Sequence, residues 1–171
     1  MTELFPAGQV IPALVIDTVG GSPVVLEGRG ERWTLLVVYR GRHCGRCKPY
    51  LGKLEGMKAA WAAAGFDILA ISADTKEKAQ ADVAEHGWTF PVGYGLTEGQ
   101  IRALGLYVSE PLSESETDRN FAEPGLFCLR PDGTALIVAV SNGPSARPDL
   151  DQLLDGMIFT IENDRPPRGT A

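Results

Sequence analysis

A chain of 171 residues that is 44% hydrophobic and 22% charged is long enough for one substantial core, short for two, and too apolar for wholesale disorder. Its formal net charge of -6 argues against nucleic acid or an anionic membrane surface as the main partner, and no apolar run approaches the length that crosses a bilayer. Met1 to Pro6 has neither a basic region nor an apolar stretch, so no signal peptide is expected, and the expected setting is the cytoplasm, where lasting structural disulfides are rare.

From the N-terminus, Ala13-Leu14-Val15-Ile16-Asp17 and Pro23-Val24-Val25-Leu26 predict two short strands around a Gly20-Gly21 turn. Gly28-Arg29-Gly30 breaks the chain before Thr34-Leu35-Leu36-Val37-Val38-Tyr39, whose length and branching predict a buried strand. From Cys44 to Ala64, Leu51, Leu54, Met57, Trp61 and Ala64 recur at spacings of three and four. They mark one face of an amphipathic helix that Gly65 stops. Phe66 to Ser72 predicts a second buried strand. Asp74 or Thr75 caps a helix running to His86, and Gly87 ends it. Trp88 to Val92 is a short extended piece, and Thr97 opens a short helix that ends at Gly105.

Residues 108–123 are polar and acidic and are expected to form a long loop or insertion. Gly125 to Leu129 and Thr134 to Val140 flank the turn signal Pro131-Asp132-Gly133, which predicts an antiparallel hairpin. Asp149 to Glu162 carries a final amphipathic helix, and the tail 163–171 is expected to fray. Strand–helix–strand implies a parallel pair, and the closing hairpin adds antiparallel strands. The expected class is α/β, a single domain over 1–171 built on a mixed sheet with helices on both faces.

Chemistry concentrates at His43-Cys44-Gly45-Arg46-Cys47-Lys48. A C-x-x-C between a buried strand and a helix puts the first sulfur where unpaired backbone N–H groups favour an anion. Arg40, Arg42, Arg46 and Lys48 crowd around it in sequence, and nearby cations favour the reactive thiolate. Cys44 is therefore the expected nucleophile, and Cys47 the sulfur that resolves a mixed disulfide into an intramolecular one. Two alternatives stand beside this reading. The pair is an inert part of the core, or it supplies two ligands to a metal whose remaining ligands come from His43, His86 or Cys128. Cys128 falls in an apparent core strand and reads as a small buried residue, and Arg119 as a solvated loop charge.

Four segments together resemble the thioredoxin-fold redoxin superfamily, in its peroxiredoxin-like branch of alkyl hydroperoxide reductases and thiol-specific antioxidants. They are Val37 to Cys47, Phe66 to Thr75 with its Ser-x-Asp ending, Phe90-Pro91-Val92 followed by Ile101 to Leu106, and Glu123 to Gly133. The resemblance implies a thioredoxin-like fold with the N-terminal hairpin as an extension. Departures accompany it. Gly41 stands where the family places a hydroxyl residue, Val37 where it places a proline, and Pro124 where it places an arginine. A proline there resembles the cis-proline of thioredoxins, which shapes the substrate groove.

These features lead to a thiol–disulfide oxidoreductase with Cys44 and Cys47 as its catalytic couple. Pro124, Arg40 and His43 are its expected substrate-binding residues, and no metal or other cofactor is expected. His43 tunes Cys44 when protonated or steers substrate. The substrate is a disulfide-containing protein, a small disulfide or a hydroperoxide, and a thioredoxin or glutathione system returns the electrons. The alternatives are a hydroperoxide reductase in which Cys44 is oxidised and Cys47 condenses with it, and a non-catalytic redox sensor or binding module that uses the acidic insertion.

Overall fold

The computed structural model describes residues 3–28 and 30–171; Met1, Thr2 and Arg29 fall outside it, so the break expected at 28–30 is described only at its two glycines. Strands β1 (Leu14–Ile16) and β2 (Val24–Leu26) pair antiparallel, with Leu14 opposite Leu26. Strand β3 (Trp33–Val38) is buried on both faces: Leu35 and Val37 enter one core cluster, Leu36 and Val38 the other. A near-continuous apolar run is what a strand covered on both sides requires.

The helix expected over 44–64 is two helices. α1 (Cys47–Gly56) starts three residues later, because Cys44 to Arg46 are held in a turn by the Cys44 N–H donating to the Gly41 carbonyl at 3.1 Å. It ends at Met57, whose N–H is shared between the Lys53 and Leu54 carbonyls at 3.1 and 3.0 Å. This tightened last turn interrupts the axis before α2 (Lys58–Ala63). Trp61 remains fully buried, edge-on to Phe66 at 5.0 Å.

Strand β4 (Phe66–Ile71) pairs parallel with β3. α3 (Lys76–His86) is capped by the Thr75 side chain and closed by Gly87 in the left-handed region at φ 67°. Strand β5 (Val92–Gly93) is parallel to β4, and α4 (Glu98–Ala103) opens with a reciprocal Thr97–Gln100 capping box. The expected loop 108–123 contains a small ribbon, β6 (Val108–Ser109) against β7 (Phe121–Ala122). Strands β8 (Gly125–Leu129) and β9 (Ala135–Val140) form the expected hairpin, and α5 (Leu150–Glu162) follows.

The main sheet has the order β5-β4-β3-β8-β9, with β8 antiparallel to β3. Residues of α1, α2, α3 and α5 pack on one face, while α4 and the β1–β2 ribbon pack on the other. The tail after α5 contacts the sheet: Arg130 Nη2 donates to the Arg165 carbonyl at 2.8 Å. The C-terminal ends of β3 and β4 and the start of β8 meet at one edge, where the C-x-x-C turn lies.

Candidate active site

Strand β3 runs out through Tyr39, whose N–H donates to the Ile71 carbonyl at 3.0 Å, into the turn Arg40 to Arg46. Asp74, just beyond β4, organises that turn by accepting the Arg42 N–H at 2.7 Å. Gly41 sits at φ 133°, and a Cβ there would lie 2.7 Å from the Asp74 Oδ1. A hydroxyl residue therefore has no room at the position where the family resemblance expects one.

Cys44 and Cys47 are joined as a disulfide with their Cα atoms 5.4 Å apart. They are 2% and 1% exposed. Cys47 is the first residue of α1, and its N–H donates to the Cys44 Sγ at 3.2 Å.

The cations that surround Cys44 in sequence are largely committed elsewhere. Arg40 pairs with Glu123 at 3.2 Å and Glu116 at 3.5 Å, and its guanidinium lies 4.8 Å over the Phe121 ring. Arg42 bridges Asp82 and Glu85 at 2.7 and 2.8 Å, and Arg46 is exposed. His43 packs against Phe121 with ring centroids 4.6 Å apart, and both its nitrogens are buried without partners. Burial, helped by the Arg40 charge, lowers its pKa, so the ring is neutral and does not supply the protonated neighbour expected for Cys44.

One cation does reach the sulfurs. Arg147, in the segment between β9 and α5, points Nη2 at the Cys47 Sγ at 2.7 Å. Its guanidinium lies 5.1 Å over the Tyr50 ring, and Nη1 is held by the Pro144 carbonyl. Burial pushes its pKa down. Sequence reading missed this residue: it lies 100 positions from Cys47, and no local pattern marks it.

Pro124 precedes β8, and its carbonyl accepts the Ser141 N–H at 3.1 Å. No cis peptide bond occurs among the described residues, so the expected cis-proline is a trans residue entering a sheet strand. Its backbone is committed to that pairing. It lines a cavity of about 240 Å3 together with Val37, Tyr50, Leu126, Val138 and Arg147. A larger cavity of about 660 Å3 lies at the other end of the sheet, around Arg32, Phe66 and Arg130, away from the sulfurs.

Cys128 is buried in β8, and burial pushes its thiol up to about 12. Arg119 is bound to Asp118 through two contacts of 3.1 Å. Among the described residues, Asp82, Glu85 and His86 are the group whose ligand atoms lie within 4.8 Å of one another. The Arg42 guanidinium already bridges both carboxylates, which makes this group an ion-pair cluster.

A mixed sheet with a C-x-x-C pair at the start of its first long helix defines a thiol-dependent oxidoreductase on a thioredoxin-like fold. The AhpC/TSA family profile matches residues 7–136, and the chain belongs to that family. Solved structures share the fold. Mycobacterium tuberculosis AhpC is 15% identical with a TM-score of 0.75, over 95% of this chain and 96% of its own. A peroxiredoxin-like protein from Aquifex aeolicus is 13% identical with a TM-score of 0.76, over 91% and 87%. A cysteine-to-serine mutant of peroxiredoxin 6 from Arenicola marina is 17% identical with a TM-score of 0.74, over 92% and 74%. The comparison with curated proteins finds no match.

Proposed function

We propose that this protein reduces hydroperoxides with the Cys44/Cys47 pair, closes the intramolecular disulfide as the oxidised product, and returns to the dithiol by exchange with a thioredoxin-type dithiol or glutathione. The observation that carries this reading is the burial of both sulfurs, 2% and 1% exposed, beside a guanidinium. A protein disulfide needs an exposed attacking sulfur and a groove in which to dock. A hydroperoxide needs only a small access route and a cation to favour the thiolate and receive developing charge.

The sequence weighs disulfide exchange first, because the family's hydroxyl and arginine positions hold Gly41 and Pro124. Arg147 supplies a cation from another part of the chain, and exchange then becomes the reductive half of the cycle. A reducing cytoplasmic setting, where the disulfide is returned to thiols, suits such a cycle.

The test is a single turnover of the reduced protein. Hydrogen peroxide or an organic hydroperoxide is expected to oxidise it much faster than a model protein disulfide does, with intact mass showing the Cys44–Cys47 disulfide as product. Rapid exchange with the protein disulfide, and peroxide oxidation no faster than that of free cysteine, would refute peroxide reduction.

A further inference from the structure

We propose that Arg147 activates the resolving sulfur: its guanidinium holds Cys47 in the nucleophilic form that closes the disulfide once Cys44 has been oxidised. This deepens the peroxide reading and rests on it. Cys44 keeps the first attack, and each of the two sulfurs is served by its own part of the fold.

Cys44 is served by the helix start. The first N–H of α1, that of Cys47, donates to the Cys44 Sγ at 3.2 Å, and a helix N-terminus favours an anion. Cys47 itself is 1% exposed, and burial of that depth holds a thiol protonated and unreactive. Cys128 shows this in the same core, where burial alone pushes its thiol up to about 12. What sets Cys47 apart from Cys128 is the Arg147 Nη2, 2.7 Å from its Sγ.

The guanidinium is built into place for that contact. Nη1 is held by the Pro144 carbonyl, and the group lies 5.1 Å over the Tyr50 ring. The Tyr50 hydroxyl donates to the Pro148 carbonyl at 2.8 Å, so one side chain of α1 anchors the segment on both sides of Arg147. Nε is buried without an acceptor, and the more distant Arg40 and Glu123 act on the group with opposite signs. A desolvated cation is costly unless an anion compensates it. The disulfide sulfur that it faces in the oxidised protein is neutral, whereas a Cys47 thiolate meets the charge directly.

The timing follows from the charge on Cys44. While Cys44 is a thiolate, a second anion beside it is disfavoured. The Cys44 thiolate then attacks one peroxide oxygen. The O–O bond breaks as the S–O bond forms, sulfur is oxidised by two electrons to the sulfenic acid, and the alkoxide or hydroxide leaves and takes a proton from solvent. Cys44 is now neutral, and the anion that Arg147 favours falls to Cys47. The Cys47 thiol gives up its proton and attacks the Cys44 sulfur. The S–O bond breaks, hydroxide departs with that proton as water, and the disulfide closes.

The experiment uses the full chain, as reduced wild type and as Arg147→Met, Arg147→Gln, Arg147→Lys and Cys47→Ser variants, each checked for its fold by circular dichroism. Two uncharged replacements guard against one that misfolds. Each protein takes one turnover of hydrogen peroxide in the presence of a sulfenate-trapping cyclic dione. Peptide mass separates the dione adduct on Cys44 from the Cys44–Cys47 disulfide. The trap and Cys47 compete for the same sulfenic acid, so the ratio of the two products reads the rate of closure, and Cys47→Ser sets full trapping. An opposite charge in contact shifts a titration by about 1–3 units, and thiolate nucleophilicity recovers about half of that on a logarithmic scale. The uncharged Arg147 variants are therefore expected to raise the ratio of adduct to disulfide about tenfold and to slow peroxide attack by less, with Arg147→Lys between them and wild type. At excess peroxide without the trap they are expected to gather more Cys44 sulfinic acid. In a Cys44→Ser background the thiolate absorbance is expected to titrate higher when Arg147 becomes Met. A wild-type product ratio in the uncharged variants, or peroxide attack slowed as much as closure, would overturn this role of Arg147 and leave peroxide reduction standing. A wild type that reacts no faster than free cysteine would overturn both.

Discussion

His43 lies directly before the redox pair and yet makes no hydrogen bond through either ring nitrogen. Its pKa is lowered, first by burial and then by the Arg40 charge. The sign of the consequence follows from linkage. Below the ordinary histidine value near 6.5, the unfolded chain takes up a proton that the folded chain refuses. Stability is therefore whole above that value and falls as pH drops from it toward the lower folded value, where the loss levels off. Replacing His43 by Phe keeps an aromatic ring against Phe121 and removes the proton. Urea unfolding at about pH 7.5 and about pH 5.5 is expected to show a smaller loss of midpoint for His43→Phe than for wild type. An equal loss in both proteins would mean that His43 charges freely in the folded state. The same residue shows what a sequence conveys about a site. Adjacency to Cys44 was legible, whereas the neutralising effect of Phe121 packing was not, because Phe121 arrives from a different strand.

At the scale of elements, the segment between β9 and α5 matters most, because it carries Arg147 to the sulfur. It is anchored at its end by Asp149, whose carboxylate accepts the Gln152 N–H at 2.9 Å and caps α5. Removing such a cap costs about 1 kcal/mol. Asp149→Ala is expected to lower the melting temperature by about 2–4 °C in a chain of this size. It is also expected to slow the first peroxide phase by less than Arg147→Met does, since the guanidinium remains and only its anchoring loosens. A loss as large as that of Arg147→Met would show that the cap, rather than the loop, sets the geometry. Most element positions were legible because strand branching, helix periodicity, caps and Gly87 are local signals. The start of α1 was not. The C-x-x-C pattern reads as helical from Cys44, but the Cys44 N–H is spent on the Gly41 carbonyl, and the helix begins at Cys47. The contact that defines the site spans 100 residues and is set by how the β9–α5 segment docks, which no local pattern encodes.

Over the whole molecule, the mixed sheet gathers the redox turn, the start of β8 and the β6–β7 ribbon at one edge. The ribbon's loop is tied on two sides. Arg40 holds Glu116 and Glu123 from the turn, and Lys78 of α3 holds Asp118 at 2.8 Å. The sequence showed this stretch as polar and acidic, and the folded chain turns two of its acids, Glu116 and Glu123, inward onto Arg40, while the exposed Asp118 pairs with Lys78. In the proposed cycle this arrangement suits the oxidative half, in which peroxide is small, and resists the reductive half, in which a protein dithiol must reach sulfurs 2% and 1% exposed. Opening the loop is then an expected step of that proposed cycle. Cutting the half-exposed tie with Lys78→Gln should change global stability little, since such an ion pair is worth about 0.2–1 kcal/mol. That same energy limits how far the open population can rise, to about fivefold. Reduction of the disulfide by a thioredoxin-type protein is expected to quicken by up to that factor, while reduction by dithiothreitol, small enough to enter a closed site, changes less. Equal acceleration of both would mean that the tie controls the sulfurs themselves, and no acceleration of either would mean that the reductant enters from the Arg147 side.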